Sequence, residues 1–146
     1  MLVGLLNGEN MQIDLQKYTD FVDAITSNDS NDTTSFVEYI QEFQNQNPGL
    51  NVSLAITAAM GMSGEAGEFS EIFKKIIFHR KPFTEETRAH AAKELGDIVW
   101  YWTNACRALA LDPNQVIADN VTKLEARYPG GKFSAASSET RVAGDI

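Results

Sequence analysis

The sequence predicts an all-α protein, a four-helix-bundle-like core of antiparallel helices, on three observations. Residues 52–78 and 85–110 are two long proline-free stretches rich in Ala, Leu, Ile, Glu and Lys, all compatible with helix. The chain's prolines, Pro48, Pro82, Pro113 and Pro129, fall between apolar-periodic segments rather than inside them. No segment shows the apolar–polar alternation of a strand, and no internal repeat is present.

In chain order, residues 13–26 carry Ile13, Leu15, Tyr18, Phe21, Val22 and Ile25 as a helical stripe. Residues 27–34 form a polar loop, and Thr34 or Ser35 is expected to cap a helix reaching about Asn47, where Pro48-Gly49 stops it. The stretch 52–78 contains Gly61, Gly64 and Gly67, each costing about 1 kcal/mol relative to alanine in a helix interior. Their three-residue spacing puts them on one side, so close approach of another backbone is the expected reason for them. Residues 79–83 break the pattern. Thr84 then caps a helix with Glu85 and Glu86 in its first turn, where they complement the helix dipole. That helix is expected to run to about Ala110. Asp112-Pro113 opens a last helix that ends near Tyr128, before Pro129-Gly130-Gly131. The expected organisation is one domain over residues 1–133, its motif-bearing core at about 50–133, followed by a poorly ordered tail or an arm over 134–146.

Composition narrows the function classes. A chain of 146 residues suits one domain, with ordinary hydrophobic (43%) and charged (22%) contents for a globular protein. The apolar residues 1–6 are too short and lack the basic flank of a signal peptide, and no apolar run reaches the roughly 20 residues of a membrane span. Cys106, the one cysteine, excludes an intramolecular disulfide and suits a reducing cytosol, so a cytoplasmic location is expected. Twelve basic against twenty acidic residues give a net charge of −8, and no basic cluster is present, which argues against nucleic acid as a partner. A small phosphorylated ligand would need metal ions or a few well-placed Lys and Arg residues.

Such a metal site is suggested by carboxylates at helical spacing. Glu94, Asp97, Tyr101 and Asn104 follow 3-4-3 steps and share one face of the helix over 85–110. Leu95, Ile98, Val99, Trp102 and Leu109 cover the adjoining apolar arc. On the helix over 52–78, Glu65 and Glu68 are also three apart, beside an apolar face of Ala66, Phe69, Phe73 and Ile76. A single Glu-x-x-Glu is common on solvated helix surfaces. Glu71 fits that description, since Lys74 and Lys75 follow at ion-pair spacing. Two acidic pairs on consecutive helices, both in apolar surroundings, point instead to a shared cation, because an ionised carboxylate in a packed setting is expensive unless paired. Four hard oxygen donors suit Mg²⁺ or Mn²⁺.

The pattern Glu65-Ala66-Gly67-Glu68, a spacer over residues 69–93, then Glu94-Leu95-Gly96-Asp97 resembles the MazG-like branch of the all-α nucleoside triphosphate pyrophosphohydrolases, relatives of the dimeric dUTPases. A third segment, from Asn120 to Pro129, is similar to that family's phosphate-binding helix. The resemblance covers about residues 50–133. It implies that Glu65, Glu68, Glu94 and Asp97 hold Mg²⁺, with Mn²⁺ as a substitute. It also implies that water attacks the α-phosphorus of a nucleoside triphosphate, with Glu65 or Glu68 activating it, to give a monophosphate and pyrophosphate. The helical core would be completed as a homodimer or homotetramer, with sites near subunit interfaces.

The remaining candidates are weighed beside this resemblance. Asn120, Lys123 and Arg127 share a face and could reach one polyphosphate, although such faces are usually solvated surface. Lys75 is a further candidate contact. Tyr101 is placed to stack on a base and Asn104 to bond a sugar or base, while a Tyr between Trp100 and Trp102 also suits a core. His79 and His90 need no special role. Two other classes remain: a non-catalytic helical oligomerisation or regulatory module with a structural acidic face, and a di-iron carboxylate bundle. The latter expects Glu-x-x-His pairs, and here the spacing is Glu86-x-x-x-His90.

Overall fold

The computed structural model describes residues 6–7 and 12–139. Residues 1–5 of the apolar start and 140–146 of the expected tail lie outside the described residues. The fold is all-α, with seven helices among the described residues, in two compact units, residues 1–47 and 48–146.

In the first unit, two strands of two residues each pair antiparallel, β1 (Leu6–Asn7) with β2 (Gln12–Ile13), which the sequence pattern did not predict. Helix α1 (Leu15–Ile25) starts at Asp14, whose carboxylate accepts the Lys17 N–H at 3.2 Å. The polar stretch expected as loop contains a one-turn helix, α2 (Asn28–Asn31). Its side-chain amides hold it on both sides: Asn31 Nδ2 donates to Asp23 Oδ1 at 3.1 Å, and Asn28 Nδ2 to Ser35 Oγ at 2.8 Å. Helix α3 (Thr33–Gln46) is capped by Asp32 rather than Thr34 or Ser35. The Asp32 carboxylate reaches the Ser35 N–H at 2.7 Å, and that bond pulls its pKa below the usual aspartate range.

The second unit is organised by an antiparallel hairpin of α4 (Val52–Phe78) and α5 (Glu85–Ala108). Asn51 caps α4 by accepting the Leu54 N–H at 3.0 Å, while its own N–H donates to Ala108 O at 2.8 Å and ties the hairpin's open end. Thr84 caps α5 as expected, accepting the Thr87 N–H at 3.2 Å. Helix α5 ends two residues before Ala110, because Ala110 takes a left-handed φ of 54°. Leu111 N–H then bonds Cys106 O at 2.9 Å and Ala110 N–H bonds Arg107 O at 3.2 Å, the paired bonds of a Schellman ending. Helix α6 (Pro113–Arg127) follows its Asp112 cap. Part of the expected tail forms a short helix, α7 (Ala135–Glu139).

The hairpin's core is small. Val52, Ala58 and Ile72 of α4 and Ala91, Cys106 and Ala108 of α5 are buried, and no large side chain among the described residues is fully so. Of the apolar arc read on α5, Leu95, Val99 and Leu109 face outward, 48%, 58% and 51% exposed, while Ile98 and Trp102 are half-buried. Two polar side chains of α5, Glu94 and Asn104, are buried beside its small apolar ones. Of the three glycines, Gly61 accommodates a side chain rather than a backbone, while a Cβ at Gly64 or Gly67 would meet nothing within 4 Å.

Candidate metal centre

The hairpin brings the first acidic pair together with Glu94 of the second. One carboxylate oxygen from each of Glu65, Glu68 and Glu94 lies within 4.8 Å of the others. Helix α4 supplies Glu65 and Glu68 one turn apart, and α5 supplies Glu94 opposite, because both helices run without interruption through the crossing. Asp97, one turn beyond Glu94, is close enough for its charge to act on Glu65.

The electrostatics follow from that crowding. Glu65 is half-buried, and its carboxyl is held above the ordinary glutamate range. Loss of solvation is the first cause, a hydrogen bond with Glu94 the second, and the like charges of Glu68, Asp97 and Glu94 complete it. Glu94 is buried and its Oε1 lies 2.9 Å from His90 Nε2. Among the described residues no lysine or arginine ion pair balances these four acids. Their oxygen-only chemistry and convergence fit a hard divalent cation such as Mg²⁺.

Other sequence-predicted site residues lie at different distances from this centre. Tyr101 is half-buried, packed against Gly61 and edge-on to Trp100, with ring centroids 4.7 Å apart. Asn104 uses its amide within α5, donating to Trp100 O at 3.1 Å and accepting from Arg107 at 2.8 Å. Lys75 pairs with Glu71 at 3.5 Å and lines a cavity of about 500 Å³ at the hairpin's closed end. Lys81, His90 and Lys93 line the same cavity over a floor that includes Ile72 and Ile76. Asn120, Lys123 and Arg127 sit on α6, which does not pack along α4 or α5 among the described residues. His90, read in the sequence as needing no special role, meets Glu94 in the structure. Its spacing of four from Glu94 was the available signal, because that step stacks side chains on a helix face.

The model of the MazG nucleotide pyrophosphohydrolase domain matches residues 55–131, which include all four carboxylates and the whole of α6. The chain is 36% identical over 73 residues to the Gene 37 protein of Mycobacterium phage L5. That alignment takes in 49% of this chain and 64% of the phage protein, so the chain spans less than two thirds of its relative. No solved structure matches the chain.

Proposed function

The chain belongs to the MazG nucleotide pyrophosphohydrolase family, and from that premise we propose that it hydrolyses nucleoside triphosphates to monophosphate and pyrophosphate at a Mg²⁺ site formed by Glu65, Glu68, Glu94 and Asp97. The observation that carries this is the convergence of three carboxylate oxygens within 4.8 Å, with Asp97 beside them. Mn²⁺ substitutes for Mg²⁺. The bound cation would neutralise phosphate charge and polarise the α-phosphorus.

The chain's own groups do the rest. Water oxygen attacks the α-phosphorus, the bridging P–O bond to the β-phosphate breaks, and pyrophosphate leaves with that bond's electrons. Glu65 or Glu68 accepts the water's proton. Glu65, Glu68, Glu94 and Asp97 would hold the cation, and His90 steadies Glu94 through their 2.9 Å contact. Lys75, at the adjoining cavity, offsets phosphate charge. Tyr101 and Asn104 border the site for the nucleoside, and Asn120, Lys123 and Arg127 contact the polyphosphate once α6 is placed in a homodimer or homotetramer. Deoxynucleoside triphosphates are the preferred substrates, and the enzyme acts in the cytoplasm, without nucleic acid as a partner. Among the described residues no helix is long and apolar enough to cross a membrane.

The test is pyrophosphate release from a panel of canonical ribo- and deoxynucleoside triphosphates, with Mg²⁺ and with EDTA. Metal-dependent pyrophosphate and monophosphate, faster from the deoxy series, is the expected outcome. Release of single phosphates would discard attack at the α-phosphorus. No turnover, with melting unmoved by Mg²⁺ plus nucleotide, would favour a non-catalytic helical module.

A further inference from the structure

Gly61 and Tyr101 face each other across the hairpin. A Cβ on Gly61 would overlap ring atoms Cδ1, Cε1 and Cζ of Tyr101, so the ring rests against bare α4 backbone. Its other neighbour is Trp100, met in a T-shaped arrangement with an interplanar angle of 82°. Gly64 and Gly67 have open space where a side chain would go. The missing side chain at position 61 is therefore the one with an occupant.

Helix geometry sets that occupant beside the carboxylates. Gly61 stands one turn before Glu65 on α4, and Tyr101 one turn after Asp97 on α5. The ring thus borders the cluster on the side toward the hairpin's open end. The cavity lined by Lys75 and His90 borders it on the other.

We propose that Gly61 is a positioning residue of the nucleotide site, seating the Tyr101 ring against α4 so that it forms the wall beside the carboxylates. This rests on the nucleotide occupying that cleft. Alanine at 61 leaves both helices and the four carboxylates in place, because the displaced atoms are the far end of one side chain. It turns the ring out of its seat.

The experiment is a double-mutant cycle of wild type, Gly61→Ala, Tyr101→Ala and the double variant. Melting without nucleotide, Mg²⁺ affinity by calorimetry, and KM and kcat would be measured for each. Gly61→Ala is expected to raise KM as much as Tyr101→Ala, ~10-fold for one lost base–aromatic stack, with kcat and Mg²⁺ affinity within about twofold. The double variant should be no worse than Tyr101→Ala alone. Gly61→Ala should raise the melting temperature only where Tyr101 is already absent, since only there is the helix gain free of the clash. A wild-type KM in Gly61→Ala, or additive losses in the double variant, would overturn the assignment. If none of the four proteins turns over nucleotide, the pyrophosphohydrolase assignment fails, and the melting cycle still decides the seating. An equal rise in both backgrounds would overturn it.

Discussion

Glu65 ties the site's geometry to a measurable pH dependence. Partial burial, its bond with Glu94 and the charges of Glu68, Asp97 and Glu94 hold its carboxyl above the ordinary value of 4.5. Between 4.5 and that raised value the folded chain keeps a proton that the unfolded chain releases. The folded state then binds more protons, so stability falls as pH rises through the window. Metal-free protein should therefore melt progressively lower as pH climbs above 4.5, and Glu65→Gln should remove that part of the slope. A slope unchanged in the variant would place the titration elsewhere. A divalent cation competes with the same proton, so Mg²⁺ affinity should rise across the same window. Asp97→Asn keeps volume while removing a charged ligand. It should lower turnover by more than ~100-fold, a loss that even outer-shell changes approach, with the wild-type circular dichroism retained. Wild-type turnover in that variant would sink the metal-site assignment. These four acids were legible because each pair repeats at a helical step. The His90–Glu94 contact was not singled out, since a histidine at i, i+4 from an acid touches it only in particular rotamers.

The ends of the helices show where local chemistry outweighs periodicity. Asn51, Thr84 and Asp112 were readable as starts or near-starts because a polar side chain stood just before a long helical run. The end of α5 was misplaced because Ala110 is a good helix former by composition, yet it takes the left-handed position of the Schellman ending. The one-turn α2 was missed for the opposite reason. Its residues read as loop, and it exists through side-chain bonds to Asp23 and Ser35 that only the folded unit supplies. The strain at Ala110 carries a prediction. A left-handed non-glycine residue costs roughly 1–2 kcal/mol, and glycine takes that conformation freely, offset by its greater freedom in the unfolded chain. Ala110→Gly should therefore stabilise the protein by about 0.5–1 kcal/mol in urea unfolding, with the m-value unchanged. A loss of stability would mean that α5 continues through Ala110 in solution.

At the scale of the whole molecule, the hairpin buries polar side chains and leaves large apolar ones exposed. Glu94 and Asn104 are buried between α4 and α5 and Glu65 is half-buried there, so space that usually holds large apolar groups is given to polar ones. Leu95 and Val99 on α5, and Met60 and Ile77 on α4, are left 48%, 58%, 72% and 64% exposed. The sequence showed the α5 arc of Leu95 and Val99 as apolar but could not show which way it faces, because a helical stripe is equally consistent with an internal core and with an intermolecular one. Exposed apolar faces of this extent suit burial against a partner, and the proposed homodimer or homotetramer would supply a matching face by symmetry. Because assembly would then supply the core that the hairpin lacks, folding and association should be linked. The melting temperature should rise with protein concentration, and light scattering should give a mass of at least two chains. Val99→Glu sets a charge in the middle of the α5 arc without touching the carboxylate face. It is expected to yield monomers that melt at least several degrees lower than wild type at equal concentration. A Val99→Glu protein that keeps both its mass and its melting temperature would move the interface off this arc. A wild type that is monomeric with concentration-independent melting would mean that the hairpin stands without a partner.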